Sequence, residues 1–530
     1  MSAAANMRRY KLGDAVDFLI IGCGASGGVL ARELSQNGFS VVVLEQGPWL
    51  TTQDFSHDEY KNWGQSLLTN DHRKQPTTFR KTPQDKAVKQ PALVYGRMVG
   101  GGPVHFTANF WRFHEIDFIE ASKKGTIAGT GFADWPITYA DLEPYYTKAE
   151  WELGVSGQQG ASPFDPPRSK PYPLPPMPVK SSGVLFDRGA RKLGYHPFPA
   201  PVAIISQAYQ GRIPCQHCGF CMGFGCEMGA KSSPLPYIIP QAVATGRCEI
   251  RPNSYVRKIE LDQHGRAVGA IYFDGTGDER LQHARAVVVA ANGSETPRLL
   301  LLSKSNRFPG GLANSSGLLG RNFMSHNNTV VMALSPLKTN PTRFQKTLAV
   351  HDFYQGGASG HGALGAIQLR GKVKEEMLRN KPSFLVRLLG KQIARRSIDL
   401  WVMTEDLPHP ESRVTVDQQG RIHLARRMTN GTAHAELIRR TCRMMRRAGF
   451  PICYVDPRGV SAIQHQCGTA RFGADPRSSV LDPWCKAHDL SNLYVIDSSF
   501  FPSSAAVNPS LTILAQALRA SEHLKDQLSV

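Results

Sequence analysis

Four cysteines fall within twelve residues, spaced Cys215-x2-Cys218-x2-Cys221-x4-Cys226 in a stretch that also carries Gly219, Gly223 and Gly225. Thiolates this close on a glycine-rich loop can converge on an iron–sulfur cluster, for which CxxCxxC runs are a common ligand source. Zinc takes the same donors in a tetrahedral site, and a cysteine-rich loop without metal is the plain alternative. The other six cysteines (Cys23, Cys248, Cys442, Cys453, Cys467 and Cys485) are solitary. Arg8 and Arg9 are followed by no apolar stretch long enough for a signal peptide, so a disulfide framework is not expected. The tight cluster therefore reads as metal or redox chemistry.

A second group of residues is built for phosphate. Gly22-Cys-Gly24-Ala-Ser-Gly27 follows the apolar run Asp17–Ile21 and opens a helix-like stretch that Gly38 ends. Ser40–Glu45 then reads as a strand, and Glu45 lies 23 residues after Gly22. The first glycine permits the tight turn, the second admits a pyrophosphate to the backbone, and the third lets helix pack on strand. The helix N-terminus faces the phosphates, and the acid is placed to hold a ribose hydroxyl pair. This spacing does not by itself separate FAD from NAD.

The elements that position these groups need a large folded body. With 530 residues, 41% apolar and 20% charged, the chain is neither disordered, nor a coiled coil, nor collagen. At roughly 150 residues per domain it makes two to four domains or one large two-domain enzyme. No window of about 18 apolar residues is present, so no spanning helix is expected. The net charge of +19 could favour nucleic acid, an acidic partner or an anionic surface. The basic residues are scattered apart from short clusters such as Arg439, Arg440, Arg443, Arg446 and Arg447, and no nucleic-acid-reading motif accompanies them, so nucleic acid is not expected.

Three further segments join the glycine motif. They are Gly96–His105 followed by Asn109-Phe-Trp-Arg112, then Ala290–Ser303, then His465–Asp475 running on to Val507–Thr512. In this order, from residue 17 to about 525, they resemble the glucose–methanol–choline (GMC) family of FAD oxidoreductases. Within it, the chain is most similar to the flavoprotein subunits of bacterial sugar, gluconate and glucoside dehydrogenases.

The resemblance implies an α/β (α+β) GMC fold, with a Rossmann-like FAD-binding domain and an antiparallel-sheet substrate domain. The FAD-binding domain would comprise 1–115, 230–325 and 460–530. Residues 116–229, rich in proline near Pro171–Pro178, would form an extended excursion with few long helices, and 326–459 the substrate cap. FAD would be held by Gly22, Gly24, Gly27, Glu45, Gly100, Gly101, Gly102, His105, Asn109, Val256, Asp497 and Pro509. The resemblance makes His465 the base that takes the hydroxyl proton, and Asn508, 43 residues on, the partner that fixes the alcohol oxygen. His326 and His488 sit in family-like stretches outside the catalytic slot. In the sugar dehydrogenases, three cysteines spaced about C-x5-C-x3-C hold a [3Fe–4S] cluster. Cys215 to Cys221 fits x5, Cys221 to Cys226 is one longer and Cys218 is extra, so [4Fe–4S] is the alternative.

The expected function is FAD-dependent dehydrogenation of a sugar, glycoside or polyol, with electrons leaving through the cluster to a cytochrome c acceptor, in the company of a small subunit. Membrane association would be peripheral and through partners, and the location periplasmic by co-export with a partner or cytoplasmic. A GMC alcohol oxidase using oxygen, and a catalytically silent flavin-binding scaffold, are the alternatives.

Overall fold

The computed structural model describes residues 7–528 apart from 60, 63–64, 73–74, 83, 90–92, 356–362, 380–382 and 457–462. The strand Val16–Ile21 is almost wholly apolar and buried, as a central parallel strand covered on both faces must be. It pairs in parallel with Val41–Leu44 on one side and with Glu279–Val289 on the other. The helix Ala25–Gln36 starts directly after Gly24, and Gly38 at φ +92° turns the chain out of it. Cys248–Arg251 extends this sheet beyond Val41–Leu44, and Leu493–Val495 adds a parallel strand on Glu279–Val289. The long strand Glu279–Val289 serves two architectures. Its C-terminal half pairs with Val16–Ile21, while its N-terminal half pairs antiparallel with Ala267–Phe273. The helix Ser510–Leu528 packs on Ala25–Gln36 and on Tyr139–Leu153.

A second sheet of six strands is antiparallel throughout. Its order is Ile452–Asp456, Asn327–Leu334, Ser397–Thr404, Ala366–Leu369, Leu348–Val350 and Phe198–Pro199. Alternation along the strands gives it two faces. Val331, Ala333, Leu400 and Val402 point to the helix Gly431–Arg447, which buries Leu437, Met444 and Met445 against them. The opposite face, including Asn328, Val330 and Trp401, looks into a cavity shared with the first sheet.

Two features bear on how the segments of the chain connect. Residues 413–425, within the span expected as cap, form a hairpin that pairs in parallel with Thr77–Arg80, so this smaller sheet joins cap and nucleotide segments. The proline-rich excursion contains two regular helices, Tyr139–Leu153 and Ser181–Arg191. The first is capped by Thr138, whose hydroxyl accepts from the Asp141 amide. Its Glu150 receives two hydrogen bonds from the buried Arg112 guanidinium, which ties segment 109–112 to the helix. Among the described residues, no helix is long and apolar enough to cross a membrane.

Candidate active site

A cavity of about 1080 Å³ runs from Glu45 past Gly24 and Gly101 to His465 and Asn508. Gly22, Gly102, His105, Val256, Asp497 and Pro509 also line it. Gly27 and Gly100 lie behind its wall. A Cβ on Gly27 would stand 2.0 Å from the Gly22 carbonyl oxygen, so this glycine serves helix–strand packing. A Cβ on Gly24, by contrast, would meet nothing nearer than Gly101 Cα at 3.9 Å. The space before Gly24 is open, at the start of a helix whose amides favour anions, and a pyrophosphate fits there.

The Glu45 carboxylate accepts from the amides of Cys23 at 2.9 Å and Gly47 at 2.8 Å. Burial nevertheless pushes it up to about 7. A ribose diol donating to it would offset that burial. Asp497 accepts from the Asn292 amide and the Thr296 hydroxyl, and so ties the 290–303 motif to the C-terminal segment. The His105 ring is buried with Nε2 unpartnered, and burial, then the nearby Lys231 charge, lower it to about 4. An unpartnered ring nitrogen beside the cavity, the open Gly24 face and the acid at the far end together suit a flavin dinucleotide.

At the opposite end a chain of hydrogen bonds fixes the state of each group. His326 Nε2 lies 2.9 Å from the Ser504 carbonyl oxygen, which can only accept, so Nε2 carries hydrogen. Burial lowers His326 to about 4, so the ring is neutral and its Nδ1 is bare. His465 Nδ1, 2.9 Å from that atom, must then be the donor. Burial holds His465 well below the usual histidine range, so it too is neutral and its Nε2 is an acceptor. Asn508 Nδ2 donates to this Nε2 at 3.3 Å, and Asn508 Oδ1 accepts from Gln368 Nε2 at 3.2 Å. Gln368 Oε1 in turn accepts from Asn109 Nδ2. His465 itself sits at φ +54°, a left-handed conformation held by its surroundings, which is common at reactive positions.

The structure thus brings His465 and Asn508 together. Asn109, expected beside the cofactor, is not among the cavity-lining residues, and its side chain donates to Gln368. His326 and Gln368 were not singled out as working residues by sequence reasoning. Their proximity to His465 and Asn508 depends on the cap sheet, in which Gln368 pairs with Trp401 and Trp401 with Val330. The one local signal is His326 immediately before a strand that starts with Asn327. His488 lies elsewhere, 2.9 Å from the Ser479 hydroxyl.

Cross-strand pairing places Asp456, Val330 and Trp401 in one row, with Asn328 and Arg370 beside it, as the ceiling of the cavity. The Trp401 indole stacks on the His465 ring at 25° and 6.3 Å. Both side-chain polar atoms of Asn328 and Nε of Arg370 are buried without partners. A flat aromatic surface ringed by unsatisfied polar groups suits a hydroxyl-rich ligand.

The four loop cysteines are free thiols, partly buried. Among the described residues, no three His, Cys, Asp or Glu side chains converge closely enough to hold a metal ion. What fits a cluster is the chemistry of the surroundings. Burial, then Cys221, push Cys215 up to about 12, against the thiolate, while the charges of Lys346 and Lys231 beside Cys221 act the other way. Lys231 Nζ donates to the carbonyls of Cys221, Phe224 and Phe106. Lys346 Nζ is buried with no partner, and burial lowers it to about 7. An anionic group held by the thiols would satisfy that ammonium. The loop also touches the cofactor end, where the Gly223 amide donates to the His105 carbonyl at 2.8 Å and Met222 lines the cavity.

Comparison with known proteins agrees with this geometry. Family models described as GMC oxidoreductase match residues 16–328 and 408–517. The chain is 30% identical to a 2-methyl-1,2-propanediol dehydrogenase of Mycolicibacterium austroafricanum, over 97% of this chain and 96% of that protein. It is 30% identical to a fructose dehydrogenase large subunit of Gluconobacter japonicus, over 97% and 98% respectively. The crystal structure of a formate oxidase superposes with a TM-score of 0.68 at 15% identity, over 98% of this chain and all of that one.

Proposed function

The chain belongs to the GMC oxidoreductase family of FAD enzymes acting on alcohol- and sugar-type substrates, and we propose that it is a dehydrogenase of a sugar, glycoside or polyol. The observation that carries this reading is the neutral His465, its bare Nε2 facing the cavity beside Asn508. The substrate ring lies against Trp401, with Asn328, Arg370 and Asp456 taking its hydroxyls. The reacting hydroxyl displaces Asn508 from His465 Nε2 and donates its proton there. Asn508 Nδ2 holds the oxygen while Gln368 keeps the amide from turning. His326 accepts from His465 Nδ1–H and so supports the imidazolium that forms. Bound FAD supplies the hydride acceptor for the C–H on the same carbon.

Cys215, Cys218, Cys221 and Cys226 would hold an iron–sulfur cluster, [3Fe–4S] or [4Fe–4S], which supplies one-electron chemistry between a two-electron flavin and a cytochrome-type acceptor. The unpartnered Lys346 and the Gly223–His105 contact support this assignment. A similar protein's description as a large subunit supports partner subunits for this chain. The test is a visible spectrum under anaerobic conditions before and after adding sugars and polyols, with iron analysis of the same sample. Flavin bleaching with dye reduction, little peroxide in air and three or four iron atoms per chain is the expected result. Rapid peroxide release without iron would make the protein an oxidase. No bleaching by any alcohol would remove the enzymatic reading.

A further inference from the structure

The short helix Phe384–Leu388 faces outwards with the wrong side chains for water. Phe384, Leu385 and Leu388 are 64%, 64% and 65% exposed and Leu389 is 49% exposed, while Val386 alone is buried. From Arg379 to Ile398 the sequence contains no acidic residue, and Arg387, Lys391 and Arg395 on the same excursion are exposed. Arg396 donates to the Pro336 carbonyl, which brings Leu337, 90% exposed, and Lys338 to the same edge.

We infer that this excursion is a direct docking surface for an anionic lipid bilayer. Apolar side chains on an exposed tip enter the acyl boundary, and the cations around them reach the phosphates. The charge complements an anionic surface, both locally and through the chain's net +19. The short helices make the contact monotopic, because no described helix can span. The excursion sits beside the cysteine loop. Gly390 packs on Leu378, and Lys374, just before the helix Glu375–Leu378, pairs with Glu59 and stands over the Phe220 ring. Docking here replaces the expectation of membrane contact only through partners.

The test is co-sedimentation of the FAD-loaded full chain with vesicles of phosphatidylcholine alone or mixed with phosphatidylglycerol. Binding to the mixed vesicles that weakens with salt is expected. Leu385→Glu with Leu388→Glu should lower it by about tenfold or more, and Lys391→Glu with Arg395→Glu by about fivefold per charge removed. Flavin content and soluble-dye reduction should be unchanged in both variants, which shows that they fold. Absence of binding to either vesicle, or equal binding by the leucine variant, would overturn the inference. So would a native complex that ignores vesicles until a second subunit is stripped away, which would assign the surface to that subunit. Loss of the enzymatic reading would show instead as absent flavin reduction with vesicle binding intact.

Discussion

The Nδ1 atoms of His326 and His465 lie 2.9 Å apart, although 139 residues separate them in the chain. Two neutral imidazoles can share that contact only if one is bare, and the Ser504 carbonyl decides which. His326→Ala removes the acceptor, frees the His465 tautomer and admits water. Flavin reduction should slow by about 10–10² with FAD retained. Burial is the main cause of the lowered His465 pKa, so with water admitted it rises towards its ordinary value. The acid limb of the rate profile therefore moves to higher pH, because more of the base is protonated at a given pH. A limb that stays in place would assign His326 a packing role only. His465→Ala should cost more, about 10²–10⁴.

Gln368 and Asn508 act as one unit. Gln368→Leu leaves the Asn508 amide free to rotate, and Asn508→Ala removes it. Each should lower the rate constant of flavin reduction, but the double variant should be little worse than Asn508→Ala. A coupling of about 0.5–3 kcal/mol is expected from a double-mutant cycle in single-turnover kinetics. Strict additivity would show that Gln368 acts elsewhere.

The nucleotide turn separates folding from binding. Gly27→Ala places a Cβ against the Gly22 carbonyl and should prevent accumulation of folded protein. Gly24→Ala meets no protein atom within 3.9 Å and should give a folded chain that emerges without flavin. The comparison is made by circular dichroism and flavin release; a yellow Gly24→Ala protein would move the pyrophosphate away from this turn.

Lys346 offers a reading of the cysteine loop that does not depend on turnover. If an anionic cluster satisfies its ammonium, Lys346→Met removes a positive charge that favours the reduced state. The cluster midpoint should fall by tens of millivolts, roughly, in a spectroscopic redox titration. An unchanged midpoint in iron-loaded protein would place the cluster away from Lys346.

The parts legible in sequence were those whose partners are near in the chain or set by a strict local geometry. The turn Gly22–Gly27 and the acid Glu45 belong to one strand–helix–strand unit, so spacing alone locates them. His465 and Asn508 came from motif position, and the structure brings them to 3.3 Å. His326, Gln368 and the ceiling residues Asn328, Arg370 and Trp401 were not legible. Their roles arise from which strands lie side by side, and a one-residue shift would turn each to the opposite face. The side-chain partner of Asn109 was hidden for the same reason. That partner is Gln368, 259 residues away.

The strand Glu279–Val289, held between Val16–Ile21 and Leu493–Val495, has a consequence for biosynthesis. As the chain leaves the ribosome, the first strand and its phosphate turn have no completed sheet to join until some 270 further residues have followed. The helix Ser510–Leu528, which covers Ala25–Gln36, arrives later still. Pairings of such large sequence separation form slowly, and the unpaired edges are exposed in the meantime. The sheet that frames the nucleotide turn is therefore complete only late in translation. A product ending before residue 493 would be a client for chaperones and proteases, with no partly working catalyst among its states.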